Sequence, residues 1–144
     1  MTSAALPLRA INGRGELASG LPRELYIETT NRCNLKCRTC PQYWGIDEDP
    51  ADLTVGQVDR ILDCFPGVER VVLHGIGEPL LNKQLPEIIA AVKRRDAYAL
   101  FNTNGLLLRG AVAAAIASSG LDELRVSVDA ASSETYEHVR GADG

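Results

Sequence analysis

Residues 24–40 read ELYIETTNRCNLKCRTC, a strand-like segment followed directly by a cysteine-rich loop. Its first six residues alternate polar and apolar side chains and are rich in residues that favour β-structure, so they predict a strand over 24–29. Cys33, Cys37 and Cys40 then fall within eight residues of one another. The segment therefore predicts a strand that carries three thiols in the loop at its carboxyl end.

The rest of the chain repeats this order of strand, loop and helix. Hydrophobic patterns predict further strands over 68–74, 98–102 and 124–129. They predict helices over 55–65, capped by Thr54 and Gln57, over 82–94, over 107–119 with Gly120 past its end, and from Ser132 or Ser133 to 139. Such alternation predicts an α/β fold, a parallel sheet with right-handed crossovers and helices on its outer side.

Chain length limits how much of this architecture is present. A closed eight-unit barrel takes about 250 residues, whereas this chain has 144. We therefore predict a partial TIM-like barrel that stops after about four β/α units. Residues 1–22 show no sustained period and are expected to form an N-terminal arm, and residues 23–144 are expected to form an incomplete core domain.

Composition excludes several functional classes. The apolar share of 45% and charged share of 24% are ordinary for a soluble globular protein. Fifteen Lys and Arg against nineteen Asp and Glu give a net charge of -4 with mixed signs, which does not indicate nucleic-acid binding. We find no export signal and no apolar stretch near the roughly 18–20 residues of a membrane span. The expected location is cytoplasmic, away from membranes.

Cysteine usage indicates metal or redox chemistry. The chain has four cysteines, and a tight cluster of three without an export signal favours a metal site over disulfides. Three thiolates leave one iron of a four-iron cluster without a protein ligand, and an open metal position is where a reactive ligand binds. The alternative is structural zinc with His74 as fourth ligand. Cys64 lies among core positions of a predicted helix and is expected to be a buried thiol.

The cysteine loop, residues 28–41, resembles that of the radical S-adenosylmethionine (radical SAM) superfamily, which uses the same three-then-two spacing. The resemblance implies an enzyme in which Cys33, Cys37 and Cys40 hold a [4Fe–4S] cluster. It also implies that S-adenosylmethionine binds the unique iron and is reductively cleaved to a 5′-deoxyadenosyl radical. That radical abstracts hydrogen from a substrate that the sequence does not identify.

Three later motifs extend the resemblance over residues 25–141. The segment 75–80 is similar to the Gly-Gly-Glu-Pro turn that holds the methionine amino group in this family. Residues 102–105 resemble the end of the third strand, and residues 126–129 resemble the fourth. A later arginine is expected to pair with the cofactor carboxylate. The implied cofactor-binding residues are Gly75, Gly77, Glu78, Pro79, Asn102, Thr103, Asn104, Ser127, Asp129 and Arg140.

Some of these residues have plainer interpretations, and one position departs from the family pattern. Asp129 is equally compatible with a cap for the following helix. Thr39 stands where the family often has an aromatic residue that contacts adenine, so we assign that contact to Tyr43 or Trp44.

The loop and turn resemble most closely the branch of the superfamily that carries a Cys-rich SPASM domain and modifies peptides and proteins. The implied partners are S-adenosylmethionine, a peptide or protein substrate, and an electron donor such as flavodoxin or ferredoxin. Two other interpretations stay open: a zinc-stabilised α/β binding module without catalysis, and an inactive, poorly soluble fragment with an exposed sheet edge.

Overall fold

The computed structural model describes residues 20–45 and 48–141. Most of the N-terminal arm expected over 1–22 lies outside the described residues. The elements follow one another as β1 (Glu24–Tyr26), α1 (Val55–Asp63), β2 (Arg70–Val72), α2 (Leu85–Lys93), β3 (Tyr98–Thr103), α3 (Gly110–Ser118), β4 (Glu123–Val126) and α4 (Ser133–Arg140). Short 3-10 helices cover Pro41–Trp44 and Pro79–Leu81.

The strands form one parallel sheet in the order β1-β2-β3-β4. Each strand therefore pairs with its predecessor in sequence, as expected when a helix connects parallel neighbours. This arrangement confirms the predicted α/β class and the alternation of strands and helices. Because the strands are parallel, the loops at their carboxyl ends all lie along one edge of the sheet.

Three of the four strands, β1, β2 and β4, are shorter than the hydrophobic pattern predicts. The fourth strand ends at Val126, so Ser127 and Asp129 lie in the following loop and not on the strand. The backbone N–H of Ser127 still donates to the carbonyl of Thr103 at 2.9 Å. Because β3 ends at Thr103, the residues after Ser127 in the predicted fourth strand have no residue of β3 to pair with.

Two helices begin later than predicted, at Leu85 and at Gly110. For α2 the cause is Asn82, which is buried and whose side-chain amide donates to the carbonyls of Thr29 and Leu53, at 2.8 Å in each case. These bonds hold Asn82 in an extended conformation, with φ −79° and ψ 111°, so the helix starts after it. The segment thereby ties the loop after β2 to the loop after β1.

Predicted caps define two helix starts and one helix end. Thr54 and Gln57 form the capping box of α1, with Thr54 N–H donating to Gln57 Oε1 at 2.8 Å. Ser132, not Ser133, caps α4, accepting from the backbone N–H of Thr135 at 3.3 Å. Gly120 follows α3 with φ +86°. These caps mark where strand-end loops give way to helix.

Helices α1 and α2 cover one face of the sheet and form the core with it. Among the described residues, side chains of this core with exposures of 0–1% include Val58, Leu62, Val71, Leu73, Leu85, Ile88, Ile89, Val92, Ala97, Ala99 and Phe101. On the opposite face Tyr26 is 68% exposed. No helix among the described residues is both long and apolar enough to cross a membrane.

The prediction that Cys64 is buried is wrong, because the structure leaves this residue exposed. It lies two residues beyond the buried Leu62, about 200° further around the helix axis. Its thiol donates to the carbonyl of Arg60 at 3.3 Å. Cys64 therefore belongs to the surface of α1, far in sequence from the cysteine loop.

Truncating a core leucine should cost far more stability than truncating an exposed one. Leu62 is 1% exposed and Leu21 is 48% exposed. We expect Leu62→Ala to lower the free energy of unfolding by about 2–5 kcal/mol, since it opens a cavity in the core. Leu21→Ala is the control and should change it by less than about 0.5 kcal/mol. Urea unfolding of the two variants measures both values, and equal losses would contradict this description of the core.

Candidate functional site

The loops at the carboxyl edge of the sheet meet around one cavity of about 290 Å³. Of the thirteen residues that the sequence assigned to the site, eleven line it: Cys33, Cys37, Cys40, Gly75, Gly77, Glu78, Asn102, Asn104, Ser127, Asp129 and Arg140. Pro79 and Thr103 are buried behind the cavity wall. All four strand-end loops thus contribute to a single pocket.

The three loop cysteines are free thiols, and each is partly accessible from the cavity. The backbone N–H of Leu35 donates to Cys33 Sγ at 3.5 Å, and the N–H of Cys40 closes a turn onto the carbonyl of Cys37 at 2.9 Å. Burial raises the pKa of the Cys33 thiol, and the charges of Glu78 and of the other two thiols act in the same direction. Three free thiols in one short loop are the donor set that iron–sulfur clusters use.

Glu28 holds the turn after β2, although the sequence analysis did not single it out. Its Oε1 accepts from the backbone N–H groups of Ile76 at 2.6 Å and Gly77 at 3.1 Å. A Cβ at Gly75 would lie 2.4 Å from that same oxygen, so a side chain there would displace it. Glu28 is the first residue of the cysteine loop, and that position is the feature of the sequence from which its role could have been predicted.

Glu78 links the turn after β2 to the end of β3. It is 3% exposed, and its Oε1 accepts from Thr103 Oγ1 at 2.7 Å and from the backbone N–H of Leu80 at 3.0 Å. Its Oε2 accepts from the backbone N–H of Asn104 at 2.7 Å. Thr103 therefore influences the cavity through Glu78, and the interpretation of Glu78 as a direct ligand of the cofactor ammonium stays a prediction.

Arg140 is 8% exposed and lies between a carboxylate and a thiol. Its Nε is 2.5 Å from Asp129 Oδ2, and its Nη1 donates to Cys37 Sγ at 3.7 Å. Burial opposes its charge, but the bond to Cys37 and the charge of Asp129 keep the pKa of the guanidinium raised. Asp129 thus pairs with Arg140, while Ser132 takes the capping role considered for Asp129.

His74 and Asn102 present polar groups at the ends of β2 and β3. His74 Nδ1 accepts from the backbone N–H of Asn102 at 3.3 Å, and burial, followed by the charge of Arg125, lowers the pKa of the imidazole. The side-chain oxygen Oδ1 of Asn102 is buried and has no hydrogen-bond partner among the residues that the structure describes. It is therefore an acceptor available to a ligand with a hydroxyl or amino group.

The aromatic residues after the cysteine loop do not reach the cavity. Tyr43 and Trp44 pack edge to face with ring centroids 5.1 Å apart, and they are 45% and 78% exposed. Neither lines the pocket that contains the thiols. The adenine contact assigned to them finds no support in this arrangement.

Comparison with known proteins gives the family. Residues 27–144 match the Radical SAM superfamily. The chain therefore belongs to this superfamily of enzymes, which use a [4Fe–4S] cluster and S-adenosylmethionine. The family expected from the cysteine loop is confirmed.

Curated relatives are much longer than this chain. A tungsten-containing aldehyde ferredoxin oxidoreductase cofactor-modifying protein of Pyrococcus furiosus is 33% identical over 109 residues, which cover 73% of this chain and 30% of the relative. PqqA peptide cyclase of Granulibacter bethesdensis is 31% identical, over 85% of this chain and 33% of the relative. GTP 3′,8-cyclase of a Synechococcus species is 36% identical, over 83% of this chain and 37% of the relative. The chain spans about a third of the length of these relatives.

Solved structures share the fold. SuiB of Streptococcus suis bound to S-adenosylmethionine superposes with a TM-score of 0.73 at 24% identity, over 86% of this chain and 29% of SuiB. BtrN in complex with AdoMet and 2-DOIA superposes with a TM-score of 0.67 at 22% identity, over 85% of this chain and 52% of BtrN. These similarities confirm the prediction of a partial TIM-like barrel.

The zinc alternative is not favoured. Structural zinc needs four ligands around a single ion, and the cysteine loop supplies three thiols. In a cluster, by contrast, thiolates bind separate irons. The family match points to the same choice.

A methyl group at Gly77 should disturb the site. Its Cβ would lie 2.0 Å from the carbonyl oxygen of Thr30, so we expect Gly77→Ala to lower the free energy of unfolding by about 1–3 kcal/mol. Gly56→Ala is the matched control, since a Cβ on this exposed helical residue meets nothing closer than 4.0 Å. That substitution should raise stability by up to about 1 kcal/mol. Chemical unfolding measures the free energy of unfolding of both variants. If Gly77→Ala left it unchanged, the close packing of Gly77 against Thr30 would be contradicted.

The lowered pKa of His74 predicts a loss of stability in mild acid. The folded protein favours the neutral imidazole, so the unfolded chain binds more protons as the pH falls through about 6.5. We expect the free energy of unfolding to decrease from pH 7 to pH 5, and His74→Gln to reduce that slope. His138→Gln removes an exposed histidine and serves as the control. If the free energy of unfolding of His74→Gln fell with pH as steeply as that of the wild type, the acid sensitivity would not come from His74.

Proposed function

We propose that this chain carries the cofactor site of a radical SAM enzyme, with a [4Fe–4S] cluster on Cys33, Cys37 and Cys40. The observation that carries the proposal is the convergence of three free thiols with all four strand-end loops around one cavity. A cluster held by three thiolates retains one iron without a protein ligand. S-adenosylmethionine would bind in the same cavity.

The lining residues match the polar groups of this cofactor. When bound, the cluster supplies the electron that cleaves the sulfonium of S-adenosylmethionine to a radical able to abstract hydrogen from a substrate. Residues 75–77 line the cavity, and the glycines at 75 and 77 let their backbone pack closely against Glu28 and Thr30. Carbonyl groups there suit the methionine ammonium, and the unpartnered Oδ1 of Asn102 suits a ribose hydroxyl.

Further contacts are assigned to the loops after β3 and β4. Asn104 and Ser127 line the cavity with an amide and a hydroxyl, which suit the ribose or carboxylate of the cofactor. Asp129 and Arg140 complete the wall next to Cys37. Pro79 and Thr103 support the turn and Glu78 from behind.

A peptide or protein is the proposed substrate class. Two of the similar proteins are associated with peptides by name or by structure. One is PqqA peptide cyclase, and the other is SuiB, whose structure was solved with the precursor peptide SuiA bound. The GTP 3′,8-cyclases among the relatives are the competing class, with a nucleotide substrate. Residues that select a substrate are expected in the two thirds of the relatives' length that this chain does not match.

The proposed electron donor is a small acidic carrier such as flavodoxin or ferredoxin, in the cytoplasm. Lys36 and Arg38 are exposed on the cysteine loop itself. Positive charge close to the cluster would attract an acidic partner and speed its association.

Cysteine substitutions test the proposal directly. After anaerobic reconstitution with iron and sulfide, we expect the wild-type chain to give an EPR signal on reduction, and that signal to change when S-adenosylmethionine is added. Cys37→Ser should lose most of the iron and the signal. Cys64→Ser removes an exposed thiol on α1 and should retain both.

Specific results of the same experiments would contradict the proposal. Stoichiometric zinc without labile sulfide, or a cluster signal that is indifferent to S-adenosylmethionine, would show that this chain does not bind the cofactor as proposed. Equal loss of iron in Cys37→Ser and Cys64→Ser would show that the loop is not the specific site.

A further inference from the structure

Backbone contacts hold the end of α4, and with it residue Arg140, against the cysteine loop. The N–H of Arg38 donates to the carbonyl of Val139 at 2.9 Å, which joins the loop to the end of α4. Gly141, with φ +74°, follows the helix, and a Cβ there would lie 3.1 Å from the carbonyl oxygen of Lys36. Arg140 lies between these two backbone contacts. Its position relative to Cys37 is therefore set by packing as well as by its own side chain.

We propose that Arg140 is a positioning residue that raises the reduction potential of the cluster by donating a hydrogen bond to the Cys37 thiolate. This inference rests on the proposed function, because it requires the cluster on the three cysteines. Hydrogen bonds to the sulfur ligands and nearby charges are established determinants of cluster potential. The reduced cluster carries one more negative charge, so a positive donor stabilises it more than the oxidised form.

Asp129 forms an ion pair with the guanidinium. Its Oδ2 lies 2.5 Å from Nε, while Nη1 points to Cys37 Sγ at 3.7 Å, so the planar group contacts both partners at once. The guanidinium also lies over the ring of Tyr136, 5.9 Å from its centroid. With 8% exposure, its charge is screened much less by water than that of a surface arginine.

This role differs from the one expected by resemblance, in which Arg140 pairs with the carboxylate of S-adenosylmethionine. A carboxylate partner would make Arg140 matter for cofactor affinity. A sulfur partner makes it matter for the cluster itself, with no cofactor present. The two roles therefore predict changes in different measurements.

An EPR-monitored redox titration of the reconstituted chain without S-adenosylmethionine tests the proposal. For Arg140→Gln we expect a tenfold lower ratio of reduced to oxidised cluster at a fixed potential, a shift of about 59 mV for a one-electron couple. Arg140→Lys keeps the charge and should recover part of that ratio. Arg38→Gln is the matched control, because Arg38 is exposed, lies next to Cys37 in sequence and contacts His138 at 3.2 Å rather than a sulfur. It should leave the ratio within twofold of wild type.

Two results would overturn the inference while leaving the proposed function intact. One is a wild-type potential in Arg140→Gln combined with weaker binding of S-adenosylmethionine, which identifies the carboxylate role. The other is an equal shift in Arg38→Gln, which identifies a general charge effect. If Arg140→Gln incorporates no iron, Arg140→Met, which also removes the donor and the charge, is titrated in its place, and a wild-type potential in that variant rejects the inference. Absence of a cluster in the wild-type chain, shown by iron and sulfide analysis, rejects both proposals.

Discussion

The close approach of Gly77 to the backbone of the cysteine loop is the constraint on which the site depends. No side-chain atom separates the turn after β2 from the carbonyls of Thr30 and Arg32. The next residue, Glu78, donates its N–H to the carbonyl of Arg32 at 2.8 Å. Since these contacts are between main-chain atoms, they fix the distance between two loops more tightly than a pair of flexible side chains could.

The two parts of the molecule are stabilised by different interactions. Burial of aliphatic side chains between α1, α2 and the sheet provides most of the favourable free energy, because it removes the largest apolar area from water. The strand-end loops contribute little apolar burial and are ordered by polar links such as Glu78 with Thr103, and Arg32 with Asp52 at 2.5 Å. A chain can therefore vary its loops while keeping the same sheet.

The sequence predicted those features that depend on local spacing. Period and capping residues gave the order of strands and helices, and the cysteine spacing gave the family. Features that depend on distant pairing were not predictable: Glu28 reaches residues 48 and 49 positions away, and Thr103 sits behind the cavity because its hydroxyl bonds Glu78. Cys64 was misplaced because Leu62, two residues earlier, is buried, whereas Cys64 itself lies on the exposed side at the end of α1.

The contact between Arg140 and Cys37 joins residues 103 positions apart. During synthesis the cysteine loop emerges early, but its last structural neighbour emerges only when nearly all of the described chain has been made. Closing so long a loop is entropically costly and comes late in folding. The pocket that the three thiols line is therefore complete only once α4 has been made and has packed against the cysteine loop.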